Sequence, residues 1–145
     1  MIHTESRIRV RYSETDAMGF AHHANYVTWF EKARIEMLDQ IGMAYRDLEA
    51  SGYFIPVLEV KVSYRRPAFF DDRLTVACMV KEQPGVRFYI EYEVRRGETL
   101  LATGSSAHAF IDKSAKPIRP PQRFLNTMKA ALRNGIPGPD PSHAR

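Results

Sequence analysis

The period of the apolar residues changes along this chain, and that change limits the folds open to it. Tyr26, Phe30, Ala33, Met37 and Ile41 recur three or four positions apart, with Val27 and Leu38 beside them. That spacing makes the apolar stripe of a helix. Glu31, Lys32, Asp39 and Gln40 take its other faces. Asn25 is the expected N-cap and Gly42 the expected stop. From residue 58 the repeat becomes two. Leu58, Val60, Val62 and Tyr64 form one set, and Leu74, Val76, Cys78 and Val80 the next. Val86, Phe88, Ile90, Tyr92 and Val94 form a third, and a less regular strand follows over 100–111. Pro84–Gly85 and Arg96–Gly97–Glu98 read as turns. Ahead of the helix, residues 7–12 alternate charged and apolar, the pattern of a short strand. Ala44–Ala50 fits a short helical turn, and 122–133 a terminal helix.

The order is therefore strand, one long helix, then about four strands joined by short connections, which predicts an antiparallel meander. One helix cannot cover both faces of such a sheet. It covers one face if the sheet curls around it. The other face, or an open edge, then needs polar side chains or a second chain. Oligomerisation is a physical expectation on this ground alone, and a monomer by light scattering would contradict it.

The 145 residues suit one domain, expected over 1–133, with a Pro- and Gly-rich tail at 134–145. The single cysteine, Cys78, excludes an intrachain disulfide and fits a reducing, cytoplasmic setting. It alternates with core positions and is expected to be inert. The first residues carry no apolar run of signal-peptide kind. No stretch approaches the roughly 20 apolar residues of a membrane helix. The net charge of +4 is mild and gives no ground to expect nucleic acid. It is compatible with a small polyanion such as a phosphorylated coenzyme. The chain has no phosphate-binding glycine loop, and no serine sits in a nucleophile elbow. His22 and His23 are adjacent, without the further Cys or His that a zinc site needs, so no metal is expected. His108 lies in a strand and reads as a neutral core histidine.

The chemistry concentrates between Tyr12 and Tyr26. Asp16 precedes the loop glycine Gly19, and the loop runs into a helix start. Helix starts present unpaired N–H groups and partial positive charge. Such donors steady an oxyanion where they point at it. A carboxylate beside them can attack a carbonyl or activate water. By the residues alone, Asp16 could equally be a turn residue bonding its own loop.

Tyr12, Thr15-Asp16, Gly19, His23-x-Asn25-Tyr26, Phe30-Glu31 and Ala33-Arg34 resemble the 4-hydroxybenzoyl-CoA thioesterase family, particularly its short acyl-CoA thioesterase branch. SYRRPAFFDDRL at 63–74 extends the resemblance. It implies an α+β hotdog fold, a long curved antiparallel sheet wrapped around one central helix. It implies homodimers with joined sheets, often paired into tetramers, with sites at the subunit interface. It implies hydrolysis of an acyl-coenzyme A thioester. Asp16 would be nucleophile or general base, and backbone N–H groups near His23 would polarise the carbonyl. Tyr12 and His23 would orient the site. Gly19, Asn25 and Tyr26 would shape the substrate end, and Arg65 and Arg66 are candidates for coenzyme phosphates. No cofactor is implied, because coenzyme A is part of the substrate. A hydratase or dehydratase, and a non-catalytic acyl-thioester binder, are the competing expectations. The acyl group, and coenzyme A against an acyl carrier protein, are open at this point.

Overall fold

The computed structural model describes residues 1–136. Strands β1 (Ile2–Arg9), β2 (Val57–Tyr64), β3 (Arg73–Val80), β4 (Arg87–Arg96) and β5 (Thr99–Ile111) form one antiparallel sheet in the order β1-β3-β4-β5-β2. A two-residue strand β6 (Pro117–Ile118) extends it from β5. Helix α1 (Asn25–Gln40) lies in the curl of the sheet, as the hotdog fold requires, and buries Tyr26, Trp29, Phe30, Ala33, Met37 and Leu38. Helix α2 (Tyr45–Ala50) follows it. Helix α3 (Gln122–Asn134) seats Phe124 among Phe88 and Phe110, with ring centroids 5.5 and 4.9 Å away. Of the tail expected at 134–145, residues 137–145 lie outside the described residues.

Three sequence expectations are corrected. The first strand runs over Ile2–Arg9 rather than 7–12. Its inward positions are Ile2, Thr4, Ser6 and Ile8, so two polar residues hide the alternation. Tyr12 belongs instead to a 3-10 turn, Tyr12–Glu14. The meander holds only for β3, β4 and β5. β2 pairs with β5 at the far edge, from Glu59↔Ala107 to Tyr64↔Ala102. Alternation dictates which face a side chain takes, but not which strand lies alongside. Lastly, Ala24 is the N-cap of α1, and Asn25 is its first helical residue.

No described helix is long and apolar enough to cross a membrane. Cys78 is a core residue, with its thiol pushed up to about 12, chiefly by burial.

The sheet meets α1 most closely at Gly104. The Phe30 ring lies flat on Tyr92, with centroids 4.1 Å apart and planes 8° from parallel. Gly104 sits opposite Tyr92 in the β4–β5 register, which puts it under the same ring. A Cβ at Gly104 would overlap the Phe30 ring edge and stand 2.9 Å from the Lys61 carbonyl oxygen. Overpacking of this kind costs roughly 1–3 kcal/mol. Gly104→Ala is therefore expected to lower Tm by several degrees in a calorimetric scan. An unchanged Tm would show that α1 does not press on the sheet there.

Candidate active site

The loop between Glu14 and α1 is tied down before it carries any chemistry. Glu14 is a buried carboxylate, 5% exposed. The Arg11 N–H donates to its Oε1 at 2.8 Å, and the Trp29 indole N–H to its Oε2 at 3.0 Å. Its backbone carbonyl accepts the His22 N–H at 2.7 Å and the Asn25 side-chain amide at 2.8 Å. One residue thus joins the 3-10 turn, the loop and the first turns of α1. The Asn25 side chain also reaches the His22 carbonyl at 3.2 Å, so it holds the loop instead of capping the helix.

Within this frame Asp16 closes a tight turn. Its Oδ1 accepts the N–H of Met18 at 2.9 Å and that of Phe20 at 3.3 Å. Gly19 returns an N–H to the Asp16 carbonyl at 2.9 Å, with φ at +84°, a value that favours glycine. The turn role of an aspartate is therefore present, but only one carboxylate oxygen carries these bonds. The amides that hold Asp16 belong to its own loop, not to the helix start. At the helix start, the Asn25 and Tyr26 N–H groups go to the carbonyls of His22 and His23. Ala24 N–H goes to His22 Nδ1 at 3.1 Å. Among the described residues the His23 N–H donates to no backbone oxygen.

A cavity of about 300 Å³ gathers Asp16, His23, Tyr26, Tyr64, Arg65 and Arg66. The Tyr64 hydroxyl donates to the His23 carbonyl at 2.8 Å, and its ring meets Tyr26 edge-on at 5.0 Å. Burial pushes the Tyr26 and Tyr64 hydroxyls above their ordinary value, so neither is a ready base. His23 is exposed and stacks on His22 at 4.2 Å. Arg65 and Arg66 are exposed at the rim, their backbone N–H groups bonded to the Leu101 carbonyl at 2.8 and 3.0 Å. Tyr12 does not line this cavity. Its ring is 76% exposed and packs edge-on against Phe70. No cluster of metal-ligating residues occurs among the described residues.

A larger cavity, about 500 Å³, lies between α1, α2 and the Val57 end of β2. Glu31, Arg34, Tyr45, Glu49 and His108 line it, and no residue is shared with the cavity at Asp16. His108 is fully buried, and burial, followed by the charge of Arg34, pulls its ring down to about 4. It is a neutral core histidine, as its place in a strand suggests.

Sequence reasoning missed Glu14. The available signal was Trp29, the chain's one tryptophan, whose buried N–H needs an acceptor. Burial disfavours the Glu14 carboxylate, but the hydrogen bonds from Arg11 and Trp29, with the Arg11 charge, outweigh it and hold its pKa below the ordinary 4.5. A lowered native pKa contributes stability above the unfolded value, lost as pH falls through the native one. Glu14→Gln turns one acceptor into a donor facing N–H groups and is expected to cost about 1–3 kcal/mol near neutral pH. The Tm gap to the wild type should narrow as pH drops below about 4.5, measured by circular dichroism. A gap that stays constant would show that Glu14 is not ionised in the fold.

The sequence profile of the thioesterase-like superfamily matches residues 10–132. The chain is 31% identical over 127 residues to the acyl-CoA thioesterase YbgC of Haemophilus influenzae, covering 86% of this chain and 90% of that one. It is 29% identical over 108 residues to the 1,4-dihydroxy-2-naphthoyl-CoA hydrolase of Nostoc punctiforme, covering 74% and 73% respectively. The solved DHNA-CoA thioesterase from Staphylococcus aureus superimposes with a TM-score of 0.83 at 33% identity, over 92% of this chain and 95% of that one.

Proposed function

The chain belongs to the thioesterase-like superfamily, and from that premise we propose that it hydrolyses acyl-coenzyme A thioesters at the Asp16 cavity. The observation that carries this reading is the pairing of a loop-held carboxylate with the unclaimed His23 amide beside a helix start. The Asp16-Gly19-His23-Asn25-Tyr26 pattern favours the 4-hydroxybenzoyl-CoA thioesterase family within the superfamily, and its short acyl-CoA branch.

The thioester carbonyl oxygen would take the His23 N–H, and the carbonyl carbon would face Asp16. As nucleophile, Asp16 bonds to that carbon, the C–S bond breaks, and the coenzyme leaves as thiolate. Water then opens the anhydride, giving the free acid and the regenerated carboxylate, and its proton goes to the thiolate. As general base, Asp16 takes the proton of a water that attacks directly. Either route suits a leaving group that needs little acid help. Gly19 shapes the turn, Asn25 fixes the loop, and Tyr26 walls the cavity. His23 presents its amide, while Tyr12 braces the turn from outside the cavity. Arg65 and Arg66 stand where coenzyme phosphates would pass, which favours coenzyme A over a carrier protein.

The same reading makes the protein a homo-oligomer. β2 is an edge strand on which Val57, Leu58, Val60 and Tyr64 are 42, 46, 37 and 49% exposed. An open edge with that much apolar surface suits pairing with a second copy. A single buried free cysteine fits a cytoplasmic setting.

Thiol release from acyl-CoA esters of varied acyl group tests the activity. Asp16→Asn keeps the Oδ1 acceptor for Met18 and Phe20, so it should fold and yet lose roughly 10²–10⁴-fold in kcat. Absence of thiol release from every ester, with hydration of an enoyl ester instead, would replace this reading with a hydratase. Light scattering is expected to give at least a dimer, and Val60→Lys to weaken it. A monomeric wild type would remove the oligomer from the proposal.

A further inference from the structure

The chain enters α1 through two peptide planes that meet at His23, and hydrogen bonds hold both. In the first, the His22 carbonyl accepts the Asn25 backbone N–H at 3.0 Å and the Asn25 side-chain amide at 3.2 Å. A peptide is planar and trans, so its N–H points opposite to its carbonyl. The His23 N–H therefore faces away from the first residue of α1. In the second plane, the His23 carbonyl accepts the Tyr26 N–H at 3.3 Å and the Tyr64 hydroxyl at 2.8 Å. The Ala24 N–H of that plane reaches His22 Nδ1 at 3.1 Å. The Tyr64 bond is the shortest of these three, and the Tyr26 contact is already long for a hydrogen bond.

The Tyr64 bond also differs in where it comes from. Among the described residues, the other hydrogen bonds to residues 22–24 come from Glu14, from their own loop and from the first turn of α1. Tyr64 stands on β2, opposite Ala102 of β5, so its hydroxyl ties the loop to the sheet. Its ring meets Tyr26 edge-on at 5.0 Å and His23 at 6.3 Å. Once the ring is seated, the phenol oxygen has no freedom of its own. Burial raises the hydroxyl above its ordinary value, so it keeps its proton and stays a donor at neutral pH. That proton is committed to the His23 carbonyl and is not free for a leaving thiolate.

We infer that Tyr64 is a positioning residue, whose hydroxyl locks the second of the two planes at His23 and so aims the His23 N–H at the thioester oxygen. The inference rests on the thioesterase reading and on the His23 amide as the donor to that oxygen. Such a donor acts only if it is in place, at the right distance and direction, before charge forms. The two planes share the His23 Cα. A turn about either of its backbone bonds swings the N–H against the carbonyl, and holding both carbonyls prevents that turn. Tyr64 acts through the backbone of His23 and not on the reacting atoms.

Tyr64→Phe removes the hydroxyl and keeps the ring against Tyr26, at a half-exposed position where the fold tolerates the change, as circular dichroism can check. In thiol release from acyl-CoA esters, its kcat is expected to fall roughly five- to tenfold, less than the loss of about 10²–10³ when an oxyanion donor itself is removed. KM should stay within about twofold, because ground-state binding is untouched. Two unreactive coenzyme A analogues separate positioning from a plain structural role. The ethyl thioether has no carbonyl. The trifluoromethyl ketone isostere, with methylene in place of sulfur, takes up water across its carbonyl and resembles the tetrahedral centre. By calorimetry, Tyr64→Phe should weaken binding of the ketone several-fold and leave the thioether unchanged. An unchanged kcat, a loss carried by KM alone, or equal weakening of both analogues overturns the inference. If the wild type hydrolyses no ester, the thioesterase reading fails, and the analogues decide this inference separately. A preference for the ketone in the wild type that Tyr64→Phe lowers supports it, and a preference that is absent or the same in both chains ends it.

Discussion

The flat contact of Phe30 on Tyr92 above Gly104 is the constraint on which the rest of the molecule depends. It sets how near α1 comes to the sheet and therefore how the sheet curls. A side chain at 104 would hold the two apart. With the helix seated at that depth, its first turn reaches the loop that carries Asp16. Its middle reaches the cavity that holds His108. Both cavities are thus spaces along one helix, and their positions are set by one layer of packing. Rigid placement matters for catalysis, since small misplacements of reacting groups cost large factors in rate.

The second layer of control is polar and local. Glu14 gathers the turn, the loop and α1 through four short hydrogen bonds. These bonds involve groups that have lost water, so each is expensive to break. Asp16 is then held by two amides of its own turn through a single oxygen. The turn role and the proposed catalytic role of this residue do not compete. The bonds that make it a turn residue also point its carboxylate.

Much of the fold is legible in the amino-acid sequence. The helical stripe from Tyr26 to Ile41 and the alternation through β3 and β4 appear where their spacing puts them. The extent of β1 is not legible, because Thr4 and Ser6 occupy inward positions, and polar residues there carry no periodic signal. The neighbour of β2 is hidden for a different reason. A strand pattern records burial on two faces, whereas pairing depends on chain path. At the candidate site, the spacing from Asp16 to Tyr26 marks a segment from which Asp16, His23 and Tyr26 line one cavity, and Arg65 and Arg66 reach that cavity too. Only resemblance attaches Tyr12 to the site, and its ring turns toward Phe70. Glu14 and Thr15-Asp16 stand side by side in sequence, and the Trp29 N–H calls for an acceptor without telling which of the two acids supplies it.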